Sequence, residues 1–168
     1  RTRAALPANL PSTGVGSEAS PTPVRGLSVD QIKKTRLPGG ATVITSESHA
    51  VPVTALRVYV SNGSLHEGPG QEGFAHFVEH LAFRGTKGRP EGRVPASVEA
   101  LGGSINAWTS YELTSYHALV GSSHSSVPLD LCVDLAANPL FPEDSFEVER
   151  RVVLEEIRKA EEEPDQAL

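Results

Sequence analysis

Apolar and polar residues change rhythm several times along the chain, and each change marks an element. Lys33–Leu37 and Ala41–Ser46 flank Pro38-Gly39-Gly40, which predicts a hairpin with a glycine-containing turn. Val53–Ser61 alternates: Val53, Ala55, Val58 and Val60 suit a strand, and Arg57 and Tyr59 suit its other face only partly. Asn62-Gly63 breaks that run. Gly73–Arg84 then takes a helical period, with Phe74, Phe77, Val78 and Leu81 on its apolar side. Val94–Leu101 predicts a shorter helix ended by Gly102-Gly103, and Ser104–Ser110 and Leu113–Val120 predict two strands. Leu129–Ala137 predicts a helix ended by Asn138-Pro139, and Glu143–Glu163 is the longest helical signal. The mixture is α+β without an internal repeat. Residues 1–26 are rich in Pro, Ser, Gly and Ala without periodicity, so they predict a flexible tail or linker, with order beginning near Leu27.

A length of 168 residues suffices for one domain with a core. Fifteen basic against 21 acidic residues give a net charge of −6, without the basic face that nucleic-acid binding needs. No apolar run approaches bilayer-spanning length. The single cysteine, Cys132, cannot form an internal disulfide, and its apolar setting between Pro128 and Leu140 predicts a core position. The sequence contains no methionine, so Arg1 is expected to follow a removed leader or an excision point. The linker-like start suggests a bacterial periplasmic or envelope location.

One pentapeptide changes this neutral picture. His76-Phe77-Val78-Glu79-His80 is an H-x-x-E-H string inside the predicted helix Gly73–Arg84. Histidines at i and i+4 lie one above the other on a helix face, close enough to grip one metal ion. Glu79 lies on the same side, where a carboxylate could take a proton from a metal-bound water. The order inverts the H-E-x-x-H zinc-peptidase motif and matches the inverzincin signature. The alternative is two solvated histidines on an amphipathic helix.

Catalytic zinc usually keeps three protein ligands and one open position. On the last predicted helix, Phe146, Glu149, Val153, Glu156 and Ile157 form one mostly apolar stripe. Glu149 and Glu156 are therefore expected to point inward, and Glu155, about 100° round the helix, to point aside. Buried carboxylates need a cation or an arginine partner, and either remains possible on the stripe alone. His49, His66, His117 and His124 lack ligand-like spacing.

From about residue 30 onward the chain resembles the pitrilysin or insulinase family of zinc peptidases. The matching stretches are Gly63-Ser64, the run Gly73–Thr86 around the motif, Leu101–Ser110 and Glu149–Ile157. In style they are similar to the bacterial relatives of the mitochondrial processing peptidase. The resemblance implies that His76, His80 and Glu156 hold one Zn²⁺ per chain. Glu156 stands 76 residues after His80, as the family pattern requires. It implies that Glu79 is the catalytic base and that Glu149 supports the site. It further implies that an extended peptide adds to the edge of the strand containing Asn106, Ala107 and Trp108.

The implied fold is an antiparallel or mixed sheet with helices packed on one face. Residues 27–168 would be the N-terminal part of one clamshell half, incomplete at its C-terminal end. Family enzymes comprise two or four such domains, so the implied partner is a second peptidase-like half or a homo-oligomer. The expected function is a zinc metalloendopeptidase. Its rivals are a non-catalytic interaction subunit of the same fold and a zinc enzyme acting on something other than peptides.

Overall fold

The computed structural model describes residues 32–89 and 93–162. The expected tail over residues 1–26 and the start of order near Leu27 lie outside them. The chain divides into two compact units, the first ending at Ser48 and the second beginning at His49.

In the first unit, β1 (Ile32–Arg36) and β2 (Thr42–Ser46) pair antiparallel, with Ile32 opposite Ser46 and Arg36 opposite Thr42. The hairpin therefore forms where the Pro-Gly-Gly turn placed it. Gly40 takes the left-handed φ of 88° that this turn requires.

The second unit is built on a three-stranded antiparallel sheet in the order β3 (Val53–Val60), β5 (Thr114–Gly121), β4 (Ser104–Thr109). Val58 lies opposite Tyr116, and Ala107 opposite Tyr116 from the other side. Among the described residues, four α-helices complete the unit: α1 (Phe74–Ala82), α2 (Arg93–Glu99), α3 (Ser126–Ala137) and α4 (Glu143–Glu162). Tyr116, Ala118 and Val120 of β5 form the floor of the core, which Ala82, Val94, Val98, Leu131, Cys132 and Leu135 close from the helices. Each fully buried valine or leucine among them contributes about 1.5–3 kcal/mol. Cys132 is wholly buried, and burial pushes its thiol up to about 11, so it is an inert core residue.

Two elements depart from their expected form. On β3 the inner positions are Thr54, Leu56, Val58 and Val60, while Val53 and Ala55 face outward with Arg57 and Tyr59. A strand has one phase. Keeping Val58 and Val60 inside brings Leu56 in and turns Ala55 out. Helix α3 begins at Ser126, three residues before the expected start. Pro128 falls in its first turn, where the missing N–H is not needed.

The loop into α1 is tied down. A Cβ on Gly63 would stand 2.3 Å from the Ser110 carbonyl, so only glycine lets the chain after β3 run against the β4–β5 turn. Glu67 then caps α1: its Oε2 accepts the Gly73 N–H at 2.8 Å and its Oε1 the Ala75 N–H at 2.7 Å. Two otherwise orphaned donors are satisfied, and a negative charge sits at the helix N-terminus, where it is favoured.

Candidate metal centre

Helices α1 and α4 lie side by side, locked by an edge-to-face contact of Phe77 on Phe146 with ring centroids 4.8 Å apart. On the facing side of α1, the rings of His76 and His80 meet nearly perpendicular, 4.7 Å between centroids. Their Nε2 atoms are 3.2 Å apart. Glu156 of α4 brings Oε2 to 3.6 Å from His76 Nε2 and 3.3 Å from His80 Nε2. Among the described residues, these three are the group that could hold a metal ion.

The donor chemistry fits zinc. Glu149 Oε2 lies 3.0 Å from His80 Nδ1, and as a carboxylate it accepts that N–H. This leaves the lone pair of neutral His80 on Nε2. His80 Nε2 and Glu156 Oε2 then face each other at 3.3 Å, as two ligand atoms of one cation would. A tetrahedral ion with bonds of about 2.0–2.1 Å would space its ligand atoms by about 3.3–3.4 Å. The observed separations of 3.2, 3.3 and 3.6 Å bracket that spacing. The centre lies near the surface, with the Glu156 side chain 48% exposed and that of His80 18% exposed.

Glu79 is buried beside the histidines on α1. Its Oε2 accepts a short hydrogen bond, 2.5 Å, from Thr109 Oγ1 of β4. Thr114 Oγ1 donates to the Asn62 carbonyl at 2.9 Å and lies 3.2 Å from Thr109 Oγ1. The Thr114 proton is thus committed elsewhere, and the Thr109 proton serves Glu79. Tyr116, below them in the core, is pushed up to about 12 by burial and then by the Glu79 charge.

Strand β4 is an edge of the sheet. The Ser110 N–H donates to the Leu113 carbonyl across the turn, which sets the alternation of the antiparallel ladder. Trp108 and Asn106 thereby bond to β5, while the N–H and C=O of Ala107 turn to the open edge. There the Ala107 N–H is taken by Asn106 Oδ1 at 2.9 Å. Ile105 and Ala107 pack toward the core, and Asn106 and Trp108 project from the other face of the sheet. A cleft of about 400 Å³ between α1, α2 and β4 brings Asn106 and Ile105 together with Glu79, His80 and Phe83. A second, of about 270 Å³, opens beside His76, Thr109 and Tyr111.

Glu155 points away and pairs with Arg158 at 2.5 Å on the exposed side of α4. The inward line on α4 is Ser145, Glu149 and Val153, with Glu156 at its exposed end. Phe146 and Ile157, expected in that line, are each nearly half exposed. Two residues that touch the site were given no role by sequence reasoning. Arg84 binds Glu149 Oε1 through Nε at 2.5 Å and also through Nη2. Its signal was position: four residues after His80. Thr109 was legible only as the next inward-facing residue after Ala107 on β4.

The family model described as Insulinase (Peptidase family M16) matches residues 42–168. The chain belongs to the insulinase family of peptidases. It is 40% identical over 136 residues to an uncharacterized zinc protease of Mycobacterium tuberculosis, covering 81% of this chain and 31% of that protein. It is 34% identical over 155 residues to a probable mitochondrial-processing peptidase subunit beta of Arabidopsis thaliana, covering 89% and 29%. A protease from Helicobacter pylori has a similar solved structure, with a TM-score of 0.71, 31% identity, and coverage of 76% of this chain and 30% of that one. The chain therefore spans about a third of the length of the insulinase-family relatives it matches.

Proposed function

We propose that this chain carries the zinc-binding half-site of a metalloendopeptidase that cleaves extended peptides or unfolded segments. The observation that supports the reading best is the convergence of His76 Nε2, His80 Nε2 and Glu156 Oε2 at tetrahedral-ligand spacing. Zn²⁺ held there supplies Lewis acidity and brings the pKa of a bound water toward neutrality.

The chain's own residues supply the rest. Thr109 occupies Glu79 Oε2, so Glu79 Oε1 is the atom that takes the proton from the attacking water. The same carboxyl returns it to the leaving amine. Glu149 holds the Nδ1–H of His80 and so keeps its Nε2 lone pair aimed at the ion. The open edge of β4 at Asn106–Trp108 receives the peptide as an added strand, main chain to main chain. That mode suits a loose sequence preference, since backbone groups carry the affinity. A second peptidase-like half, or a second copy, closes over the peptide.

The test separates binding from chemistry. Elemental analysis should find about one zinc per chain, and H80A should abolish it. E79Q should keep zinc and lose peptide turnover by about 10²–10⁴-fold relative to wild type. A wild-type chain that takes up no added zinc refutes the metal reading. An E79Q protein that loses zinc makes Glu79 a ligand and refutes its role as base.

A further inference from the structure

We propose that Arg84 is a positioning residue of the metal centre, acting on His80 through Glu149. The inference rests on the zinc reading above and extends it to a residue that takes no part in coordination.

Three charged or polar groups form one line. Arg84 grips Glu149 Oε1 with both Nε and Nη2. The other oxygen of the same carboxylate, Oε2, accepts the Nδ1–H of His80 at 3.0 Å. His80 then presents Nε2 to His76 and Glu156. The Glu149 side chain is 6% exposed, so its carboxylate cannot rely on water for its charge or its orientation. An arginine provides both at once. Its fork engages Oε1 with two donors, which neutralises the charge and anchors that oxygen while leaving Oε2 to the imidazole. The turn that follows α1 makes the arrangement possible: the Arg84 N–H donates to the Leu81 carbonyl at 3.0 Å, and from there its side chain reaches the carboxylate that His80 also meets. Glu149 itself comes from α4, seven residues before Glu156. The Arg84–Glu149 pair thus sets the register in which the third ligand meets the two histidines. Without it, Glu149 would rotate or withdraw, the His80 ring would lose its fixed orientation, and zinc would bind less tightly.

The experiment measures zinc affinity of the 168-residue chain by competition with a chromophoric chelator, with the visible absorption of the Co²⁺-loaded chain as second readout. R84M should weaken zinc binding by about 10- to 100-fold, the range typical of lost outer-sphere partners. It should also alter the cobalt spectrum. R84K, which keeps charge but not the fork, should recover most of the loss. In an E149Q background, R84M should change affinity by less than about twofold, because the carboxylate through which it acts is gone. Wild-type affinity in R84M overturns the proposal, as does a loss that multiplies with that of E149Q. If R84M does not fold, R84K measured with and without E149Q decides: a few-fold loss present only with Glu149 supports the proposal, and equal losses refute it. Failure of the wild-type chain to bind zinc would instead refute the metal reading itself.

Discussion

Thr109→Val tests the site without requiring turnover. The substitution keeps the side-chain volume and removes one hydroxyl, the group that donates to Glu79 Oε2 at 2.5 Å. Glu79 is only 9% exposed, so water cannot readily replace that donor. A hydrogen bond to a buried charged group is worth about 1.5–3 kcal/mol. With a urea slope of about 1–3 kcal/mol per molar, the unfolding midpoint of the chelated chain should fall by roughly 1 M. The assay is urea titration followed by circular dichroism, on wild type, T109V, E79Q and the double variant. In E79Q the bond is neutral and about half as strong, so T109V should then destabilise by only about 1 kcal/mol. A midpoint unchanged in T109V would show that the short bond contributes nothing. Equal shifts with and without the Glu79 charge would show that Thr109 acts elsewhere, and the assignment of Glu79 Oε1 as proton acceptor would fall with it.

Glu155 and Glu156 are adjacent but meet different partners, so E156Q should lose zinc and E155Q should retain it, as read by metal analysis after dialysis. Tyr116 ionises more readily unfolded, at about pH 10, than folded, at about 12. Its contribution is fully present below pH 10 and is lost as pH rises toward 12. Wild type should therefore lose roughly 2–3 kcal/mol relative to Y116F over that window in pH-dependent denaturation; parallel curves would contradict it. At matched zinc occupancy, this chain alone should cleave unstructured peptides far more slowly than a full-length insulinase-family peptidase and should self-associate, because the β4 edge and the apolar residues Val148, Val152 and Leu154 are uncovered among the described residues. Equal cleavage rates would make the partner half dispensable.

The parts of this site that were legible in sequence are those set by local geometry. Two histidines four apart on a helix must share a face, and Pro38-Gly39-Gly40 must turn. Helix periodicity also separated Glu149 and Glu156 from Glu155. The same stripe misplaced Phe146 and Ile157, because an amphipathic helix covered by one neighbour hides a narrower line than its apolar residues suggest. On β3, the adjacent pair Ala55-Leu56 obscured the strand's phase until β5 fixed which face was inward. Arg84 and Thr109 stayed hidden for another reason. Their partners lie 65 and 30 residues away, and nothing in a periodic pattern says which polar groups will meet across such distances.

The proposed ligand set joins two helices that are far apart along the chain, with Glu156 following His80 by 76 residues. An ion bound there acts as a clip closing a long loop, and long loops are where a cross-link removes most entropy from the unfolded chain. It also binds only the folded arrangement, so zinc should raise the stability of α1 against α4 with rising concentration. During synthesis the clip cannot close until α4 has emerged. Until then the nascent chain holds only two of the three ligands, and a histidine pair alone grips zinc weakly. On the proposed reading, metal loading would therefore wait for α4.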